Sequence, residues 1–332
     1  MRRISVQDAV GEALCHDMTA IRADGFKGVQ FPRGHVVREG DIPVLLDMGK
    51  SHIFVWEPAA DEVHEEDAGL AGAVALAGAG ISYGAPREGR YALTADYDGL
   101  LVIDSKRLLA LNQVPDFTAA TRPNLTAVVA GAQVAGVRIV PLVTAREHVA
   151  QVEALGRGIL EVRPFLPLKV GCIITGREIA EGRIPDRFEP ILREKTTQYG
   201  GQVLDVEKCP DDAAAIVATT RRFLDLGAEL LLFTGGMSVD PDDLTPTAIR
   251  QTGAEVIAQG VPVQPGNMLM LAYLGETTLI GVPGAAMHHQ ITSLDLILPR
   301  VFAGVRITRD DLLSLGEGGL LLPQSATLTA PS

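Results

Sequence analysis

The sequence predicts an α/β protein, with a three-layer, doubly wound, mostly parallel sheet in the second half preceded by α+β and β-rich N-terminal regions. From about residue 166, short apolar runs alternate with amphipathic stretches of helical length, a pattern typical of parallel sheets covered by helices. Turns that contain glycine follow several of these runs. Residues 68–165 instead hold apolar, β-branched runs separated by turns, which favours a β-rich region.

The composition is that of a globular enzyme and narrows the possible partners. Of the 332 residues, 47% are hydrophobic, which is enough for a sizeable core. The formal net charge is −12, so the chain lacks the basic surface that binds phosphate backbones, and no nucleic-acid partner is expected. A small anionic ligand stays compatible with this charge, because backbone N–H groups bind anions whatever the net charge.

Cysteine usage and the apolar runs predict a cytoplasmic protein. Cys15, Cys172 and Cys209 are widely spaced, which argues against a disulfide framework or a zinc knuckle and suits a reducing compartment. The first residues contain no apolar signal core. The most apolar stretch, 68–81, is interrupted by glycine and too short to cross a bilayer, so no membrane partner is expected.

Four segments are predicted along the chain. Residues 1–60 are expected to form a small α+β segment, and residues 61–165 a β-rich scaffold or dimerisation module. Residues 166–305 are expected to form the α/β domain, followed by a C-terminal tail, 306–332. A dimerisation module implies that the protein is a homo-oligomer.

Apolar periodicity and turn residues place the elements of the first two segments. Helices are expected over 6–14, 42–48 and 144–155. Strands are expected over 53–56, 90–95, 100–103, 126–129 and 137–143.

The same signals place the elements of the α/β domain. Strands are expected over 170–175, 202–206, 229–233 and 278–282, with a further apolar run at 255–263. Helices are expected over 188–199, from Pro210, from about Thr245, and from Pro283-Gly284 to Pro299. Pro210 is assigned as a helix start because two aspartates follow it, where carboxylates suit the helix dipole.

Loops with glycine follow three of the predicted strands. The first begins Thr175-Gly176-Arg177-Glu178 and continues to Asp186, the second begins Thr234-Gly235-Gly236, and the third contains Pro283-Gly284. Because the carboxyl ends of parallel strands lie on one rim of a sheet, we expect the three loops to lie together. Glycine lets backbone N–H groups approach an anion closely, so this rim is a candidate anion site.

The second loop also carries polar side chains. Thr234 and Ser238 add hydroxyl donors to the turn. Thr245 followed by Pro246 predicts a helix N-cap with proline at the first helical position. Asp243 comes just before this cap, where a carboxylate can hold a cation that bridges phosphates.

The order of these motifs resembles a known family. Residues 231–246, L-L-F-T-G-G-M-S-V-D-P-D-D-L-T-P, resemble the strand, T-x-G-G turn and D-x-T-P helix start of the molybdopterin-binding domain. This domain is shared by molybdopterin adenylyltransferases and molybdopterin molybdenumtransferases, also called insertases. The resemblance covers about residues 168–303.

Further motifs carry the same resemblance. Gln264-Pro265-Gly266 resembles the P-G-K-P loop of the insertases, and residues 280–284 resemble their G-L-P-G-N-P loop. Residues 175–186 resemble their G-D-E-L…G-x-I-x-D segment. Residues 8–56 resemble the segment that precedes the pterin domain in insertases.

The resemblance implies a ligand, a reaction and a set of site residues. The ligand is molybdopterin or adenylyl-molybdopterin, and the reaction is the insertion of molybdate with release of AMP. Catalytic roles are implied for Asp243 and Asp186, and a Mg²⁺ site at Asp240 and Asp243. The implied ligand-binding residues are Thr175, Gly176, Glu178, Thr234, Gly235, Gly236, Ser238, Thr245, Pro265, Gly266, Pro283 and Gly284.

Departures from the family pattern keep other hypotheses open. Asp240 stands at the last glycine of G-G-x-x-x-G, Asn267 at the lysine of P-G-K-P, and Ala285 at the asparagine of P-G-N-P. The lost lysine and asparagine favour a non-catalytic carrier, chaperone or sensor of molybdopterin, whereas Asp243 and Asp186 favour the enzyme. A third hypothesis is a nucleotide-processing hydrolase built on the same fold.

Overall fold

The computed structural model describes residues 2–21, 27–55, 59–176, 186–237 and 243–321. The chain forms two compact units, Met1–Val162 and Arg163–Ser332. The predicted α/β class is confirmed, with a mostly parallel sheet in the second unit. The predicted division into four segments stays a prediction. No helix within the described ranges combines the length and the apolarity needed to cross a membrane.

The first unit begins with two short antiparallel ladders around a small core. β1 (Arg2–Ser5) pairs with β4 (His52–Val55), and β2 (Met18–Ile21) pairs with β3 (Lys27–Phe31). Helix α1 (Asp41–Asp47) precedes β4. The side chains buried in this core include Val6, Leu14, Leu45 and Ile53.

The helix predicted over residues 6–14 is wrong beyond its first turn. Only Val6–Asp8 are helical, in a 3₁₀ turn. Gly11 has φ +89°, a left-handed conformation that ends a helix. Leu14 then forms a β-bridge with Val55, so tertiary pairing overrides the local apolar pattern.

Three sheets and three helices form the rest of the described part of the first unit. The strands are β5 (Glu62–His64), β6 (Ile81–Tyr83), β7 (Tyr91–Ala95), β8 (Gly99–Ile103), β9 (Phe117–Thr121), β10 (Thr126–Val128), β11 (Gln133–Ile139), β12 (Val143–Ala145) and β13 (Leu160–Pro164); the helices are α2 (Glu65–Leu76), α3 (Ser105–Gln113) and α4 (Arg146–Ala154). A four-stranded antiparallel sheet has the order β6-β7-β11-β9, and a three-stranded sheet has the order β10-β8-β13. A short antiparallel pair joins β12 to β5.

Helix α2 packs on the inner face of the four-stranded sheet. A Cβ at Gly72 would lie only 2.7 Å from Val137 Cγ2, so glycine permits the close approach of helix and strand. The strand predicted at 137–143 is wrong, because Pro141 supplies no N–H to a ladder and separates β11 from β12. Helix α3 and strands β6 and β9 were missing from the prediction.

The second unit alternates strands and helices. Its strands are β14 (Lys169–Thr175), β15 (Gln202–Cys209), β16 (Leu230–Thr234), β17 (Glu255–Gln259), β18 (Met270–Leu274) and β19 (Thr277–Gly281); its described helices are α5 (Phe188–Gln198), α6 (Ala213–Asp225), α7 (Thr245–Gln251), α8 (Ser293–Phe302) and α9 (Arg309–Leu313).

These strands form one six-stranded sheet with the order β15-β14-β16-β19-β18-β17. β14 is parallel to β15 and β16, and β16 is parallel to β19. Only β18 runs antiparallel to its neighbours. The carboxyl ends of β14, β15, β16 and β19 therefore share one edge of the sheet, which we call the carboxyl rim.

Helices cover both faces of this sheet. Phe223 of α6 and Ile249 of α7 are buried with Ile173, Leu231 and Phe233 on one face. The connection from β14 to β15 and the connection from β15 to β16 run in opposite directions along the sheet. Because such crossovers are right-handed, α5 and α6 lie on opposite faces. The arrangement is the doubly wound, three-layer fold that the sequence predicts.

Two predicted helix starts in this unit are wrong. Helix α6 begins at Ala213 rather than at Pro210, because Asp212 caps it by accepting a hydrogen bond from Ala215 N (2.8 Å). The long helix predicted from Pro283 to Pro299 is two elements. A 3₁₀ turn at Gly284–Met287 is followed by α8, which starts afresh at a capping box formed by Thr292 and Asp295.

Candidate functional site

The carboxyl rim has a crevice between β14 and β16. These two strands are neighbours, but the chain leaves β14 toward β15 on one side and leaves β16 toward β19, β18 and β17 on the other. Such a reversal of strand order opens a crevice outside the carboxyl ends of the strands, and ligands of open α/β sheets bind there. Thr175 ends β14 and Thr234 ends β16, so the predicted first and second loops begin at this crevice.

The turn after β16 depends on two glycines. Gly235 has φ +80° and Gly236 has φ +53°, backbone conformations that residues with a Cβ rarely adopt. A Cβ at Gly235 would overlap the carbonyl oxygen of Thr175. A Cβ at Gly236 would lie 3.0 Å from Thr245 Oγ1 and 3.5 Å from Leu244 N. The backbone of this turn is thus packed against the end of β14 at Gly235 and against the start of α7 at Gly236, and both glycines are partly buried.

Buried threonine hydroxyls hold the turn in place. Thr175 Oγ1 donates to Thr234 O (3.1 Å) and lies 3.2 Å from Thr245 Oγ1, which donates to Gly235 O (2.9 Å). All three threonines are at most 2% exposed, so these hydroxyls fix the shape of the crevice. Their contact with a ligand stays a prediction.

The N-cap predicted at Thr245 is displaced by one residue. Helix α7 has Leu244 at the N-cap position, without a side-chain cap, and Thr245 is its first helical residue. Because the Thr245 hydroxyl donates to Gly235 O, it serves the glycine turn and does not cap the helix.

The turn after β14 brings Asp186 close to a lysine. Gly176 has φ +143°, and its N–H donates to Cys209 O (3.2 Å) at the end of β15. Asp186 Oδ1 accepts hydrogen bonds from Phe188 N (2.7 Å) and Glu189 N (3.4 Å), which caps the start of α5. Asp186 Oδ2 is buried and accepts no hydrogen bond from the described part of the chain. Lys208 Nζ lies 3.7 Å from it.

Lys208 is a residue of the rim that the sequence analysis missed. Its ammonium group also lies 3.5 Å from Glu189 Oε2 and is 40% exposed. The predicted strand 202–206 stopped short of it, whereas β15 continues to Cys209. The sequence feature that could have identified Lys208 is Pro210, two residues later. A proline commonly ends a strand, so a strand that continues to Cys209 places Lys208 at the rim.

Asp243 provides a second buried carboxylate oxygen beside the glycine turn. Its neighbour Leu244 lies against Gly236. Asp243 Oδ2 is buried and has no hydrogen-bond partner within the described ranges. Leaving a buried acceptor unpaired costs about 1–3 kcal/mol, and such atoms in folded proteins point to an unfilled ligand or ion position. Asp186 and Asp243 therefore have the acceptors that a bound group would satisfy.

The loop with Pro265 and Gly266 is tied to the start of α8. Ser293 N donates to Pro265 O (3.1 Å), and Ser293 Oγ donates to Gly266 O (2.6 Å). Gly266 has φ +106°, and a Cβ there would lie 2.9 Å from Ser293 N. β17 runs parallel to β19, so this loop starts from the carboxyl rim as well. Ser293 was not predicted, because nothing in its sequence context separates it from an ordinary helix start.

Pro283 and Gly284 lie where the third loop was predicted. Val282 N donates to Phe233 O (2.7 Å), so this loop leaves the sheet beside the end of β16. Gly284 has open space around its Cβ position. Met237 of the second loop is 5% exposed and packs against Gly281, where a Cβ would overlap its side chain. The bases of the second and third loops are thereby in contact.

Three predicted site residues, Glu178, Ser238 and Asp240, lie outside the described residues. Among the residues that are described, no group of three or more His, Cys, Asp or Glu side chains is arranged to hold a metal ion.

Cys209 lies on the rim, but burial raises the pKa of its thiol, which stays protonated at neutral pH. It is therefore a packing residue and not a thiolate ligand.

Comparisons with known proteins give a family match for the domain that carries this site. Residues 171–303 match the family model described as a probable molybdopterin binding domain. Residues 3–57 match the model of a domain of unknown function. The second unit therefore contains a domain of the molybdopterin-binding family, the family that the motifs around Gly235 resemble.

The relatives are similar to this chain over limited lengths. The molybdopterin molybdenumtransferase of Synechococcus elongatus is 30% identical over 160 residues, which is 45% of this chain and 39% of the relative. A CinA-like protein of Mycobacterium tuberculosis is 30% identical over 90 residues, 27% of this chain and 21% of the relative. Among solved structures, the molybdopterin biosynthesis enzyme MoaB of Thermus thermophilus is 21% identical, with a TM-score of 0.33 over 40% of this chain and 91% of that chain.

Proposed function

We propose that the carboxyl rim binds molybdopterin or adenylylated molybdopterin, and that the protein inserts molybdate into the adenylylated form with release of AMP. The observation that carries this proposal is the crevice between β14 and β16. There, the left-handed glycine turn at Gly235 and Gly236 lies beside a buried, unpartnered carboxylate oxygen of Asp243. The match of residues 171–303 to the molybdopterin-binding family names the ligand class.

In this proposal the glycine turns bind the phosphate of the pterin. Backbone N–H groups at Gly235 and Gly236 approach the anion, as glycine-rich turns do at phosphate sites. Gly176, whose N–H donates to Cys209 O, leaves room beside them because it has no side chain. The hydroxyls of Thr175 and Thr245 keep the turn in shape. Glu178 and Ser238 extend the same loops, Pro265 and Gly266 border the rim on the α8 side, and Pro283 and Gly284 border it beside β16.

Asp243 and Asp186 have the catalytic roles in the proposal. Mg²⁺ commonly binds one or two carboxylates together with substrate phosphates, and the unpartnered Oδ2 of Asp243 fits that ligand type. Bound there with Asp240, the cation would neutralise charge on the phosphoanhydride. An oxygen of water or molybdate would attack the adenylyl phosphorus, the phosphoanhydride bond would break, AMP would leave with the new oxygen, and the pterin would keep its own phosphate. Asp186, held by the N–H groups of Phe188 and Glu189, orients the reacting phosphoryl group.

The test measures AMP release from adenylylated molybdopterin with molybdate, with and without Mg²⁺. Asp243→Asn should reduce AMP release by about 100-fold or more, since charge neutralisation at the phosphate is lost. Asp240→Gly should lessen the dependence of binding on Mg²⁺, because it removes a carboxylate three residues before Asp243 in the sequence, and a cation is needed to offset the repulsion between like charges. Asp225→Asn, an exposed substitution at the end of α6, is the matched control. Full activity in Asp243→Asn would contradict the catalytic assignment.

A non-catalytic carrier of molybdopterin is the second candidate. Asn267 and Ala285 stand where the family pattern has a lysine and an asparagine, so a cation and a side-chain amide toward the ligand are missing. If the native protein binds molybdopterin at the rim but releases no AMP under any of these conditions, the carrier replaces the enzyme as the conclusion.

A further inference from the structure

The outer face of the four-stranded sheet in the first unit carries a groove that the proposed function does not use. Leu93, Phe117 and Val137 point to the opposite, core face of this sheet. The groove has a volume of about 580 Å³ and is lined by residues of β9, β11 and the residue before β7. We call it the arginine groove, because Arg90, Arg122 and Arg138 are the charged residues among its described lining. No carboxylate lines it, although the whole chain has a net charge of −12.

Two of the arginines are oriented by backbone carbonyls. Arg122 Nε donates to Gln133 O (2.7 Å), and Arg138 Nε donates to Ile139 O (3.0 Å). Each guanidinium group is thereby oriented through Nε. Arg138 Nη2 lies 3.6 Å from Glu65 Oε2, a longer ion pair that leaves hydrogen-bonding capacity at that end. Preorganised guanidinium groups lose less conformational entropy when they bind an anion.

The third arginine lies close to Arg138 across the sheet. Val137 pairs with Tyr91, so Arg138 and Arg90 are the neighbouring residues on adjacent strands at the same end of the groove. The Arg90 side chain reaches back over β11, with Cδ 4.0 Å from the Cβ position of Gly136. Like charges at neighbouring cross-strand positions destabilise a sheet. An anion bound between them would remove that repulsion.

The groove thus has a cationic group at each end. Arg122 is bonded to Gln133 at the start of β11. Arg90 and Arg138 lie on adjacent strands toward the other end of β11. Five residues separate Gln133 from Arg138, which corresponds to roughly 16 Å of extended strand. Gly136 and Ala120, which pair with each other, form the floor between the ends, and the side chains of Gln133 and Arg90 border it at 3.6 Å and 4.0 Å from the Cβ position of Gly136. The shape accommodates an elongated molecule lying along β11.

We infer that the arginine groove binds a small elongated anion with an acidic group at each end. The planar guanidinium group forms paired hydrogen bonds with phosphate or carboxylate oxygens, so both groups satisfy this chemistry. A volume of about 580 Å³ lies within the range of small-molecule sites. The inference is independent of the proposed function, because every residue that carries it belongs to the first unit.

The test is a titration of the full chain by calorimetry with hexane-1,6-diyl bisphosphate, hexyl phosphate and octanedioate. The bisphosphate should bind at least about 10-fold more tightly than the monophosphate, since the second charged end adds further charge-assisted hydrogen bonds. Arg122→Gln should reduce bisphosphate affinity to the level of the monophosphate. Gly136→Val should block both, because a side chain there would fill the floor. Comparing octanedioate with the bisphosphate identifies the preferred acidic group.

Matched variants separate the groove from other anion sites. Arg146→Gln removes an exposed arginine of α4 that lies outside the groove and should leave affinity unchanged. Gly236→Ala alters the carboxyl rim and should also leave it unchanged, so failure at the rim and failure at the groove are distinguishable. Equal affinities for bisphosphate and monophosphate, or affinities that Arg122→Gln and Gly136→Val do not change in folded protein, would overturn the inference.

Discussion

At the scale of single residues, the two glycines after β16 have different tasks. Gly235 has φ +80° and its backbone touches Thr175, so any side chain there overlaps the end of β14. Gly236 has φ +53°, and a methyl group there meets Thr245 Oγ1 at 3.0 Å, a contact that a small shift relieves. Gly235 is thus required by packing, whereas Gly236 has room for a small side chain after a small shift.

Gly236→Ala is therefore expected to weaken molybdopterin binding without unfolding the protein. The left-handed backbone costs about 1–2 kcal/mol with a Cβ, and the methyl group restricts the approach of the phosphate. We expect at least about a 10-fold loss of affinity, measured by titration with molybdopterin, if one hydrogen bond to a charged phosphate is lost.

Gly227→Ala is the matched control for this change. Gly227 has φ +78° with no atom near its Cβ position, so the substitution brings the same backbone strain away from the rim. Gly235→Ala should lower the melting temperature more than either. Undiminished affinity in folded Gly236→Ala would show that the phosphate does not bind at this turn.

Other residues of the site could not be assigned from the sequence. The hydroxyl of Thr245 looked like a helix cap, yet it donates to Gly235 O, because the glycine turn lies within its reach. Lys208 belongs to the site because β15 is longer than predicted, which places Lys208 Nζ 3.7 Å from Asp186 Oδ2. The direction of a side chain at a helix end depends on which neighbours the fold supplies, and a sequence does not name them.

At the scale of elements, helix α2 shows how one buried side chain starts a helix. His64 is 2% exposed, and its Nδ1 accepts a hydrogen bond from Glu66 N (3.2 Å) at the first turn. Its Nε2–H donates to Cys15 O (2.6 Å). This pattern needs the neutral imidazole, because a protonated ring has no acceptor. Burial lowers the pKa of His64 below its usual value of 6.5.

The cap makes the stability of the protein depend on pH. The unfolded chain binds a proton at His64 near pH 6.5, and the folded chain does so only at lower pH. The contribution of His64 is therefore complete above pH 6.5 and decreases as the pH falls through the lower, folded-state pKa. One proton accounts for at most about 1.4 kcal/mol per pH unit.

Urea unfolding at pH 7.5 and pH 5.5 measures this effect. His64→Asn keeps a side chain that caps helices and removes the titration, so the difference between the two pH values should shrink. His52→Asn, at an exposed position of β4, is the control and should leave it unchanged. Burial also lowers the pKa of His16, so a smaller pH dependence is expected to persist in His64→Asn. An unchanged difference in His64→Asn would refute the assignment.

Continuous apolar strands were the elements best predicted from sequence. β14 and β16 were placed within a residue, because strands buried on both faces appear as unbroken apolar runs. The helix predicted from Pro283 to Pro299 failed, although Thr292 and Asp295 already carry the pattern of a capping box. The helical spacing of apolar residues continues across the capping box. Periodicity alone therefore predicted one helix where the structure has a 3₁₀ turn and α8.

At the scale of the whole molecule, the second unit has its own core and its own sheet. All six strands of the parallel sheet lie within it. The chain after α8 packs on the same unit: Ile307 and Leu312 are at most 1% exposed, and Ile307 N donates to the hydroxyl of Tyr273 (2.8 Å). Residues 306–321 therefore contribute to the stability of this unit.

We expect a fragment of residues 163–321 to unfold cooperatively by circular dichroism. A shorter fragment, 166–305, should be less stable by about 3 kcal/mol or more, because it lacks two buried aliphatic side chains worth about 1.5–3 kcal/mol each. Ile307→Ala in the longer fragment should reproduce part of this loss, and exposed Leu313→Ala should not. A longer fragment without a cooperative transition would contradict the independence of the unit.

The sequence by itself determined the class of the fold, the order of most strands and helices in the second half, and the turns that carry glycine, whereas the antiparallel strand β18 and the short helix α9 were missed. These features are local: an apolar run, a helical period or a left-handed glycine depends on a few neighbouring residues. Together they were enough to indicate the molybdopterin-binding family before any distance was known.

Only the tertiary structure decided which groups meet at the carboxyl rim and which stay unpaired. Residues 59–70 positions apart, such as Thr175 with Thr234 and Thr245, touch only because β14 and β16 are neighbours in the sheet. The ion pair of Asp186 with Lys208, the unpartnered oxygen of Asp243 and the row of arginines on the first unit likewise follow from packing. Burial and hydrogen bonding are properties of the folded surroundings, so a linear pattern does not contain them.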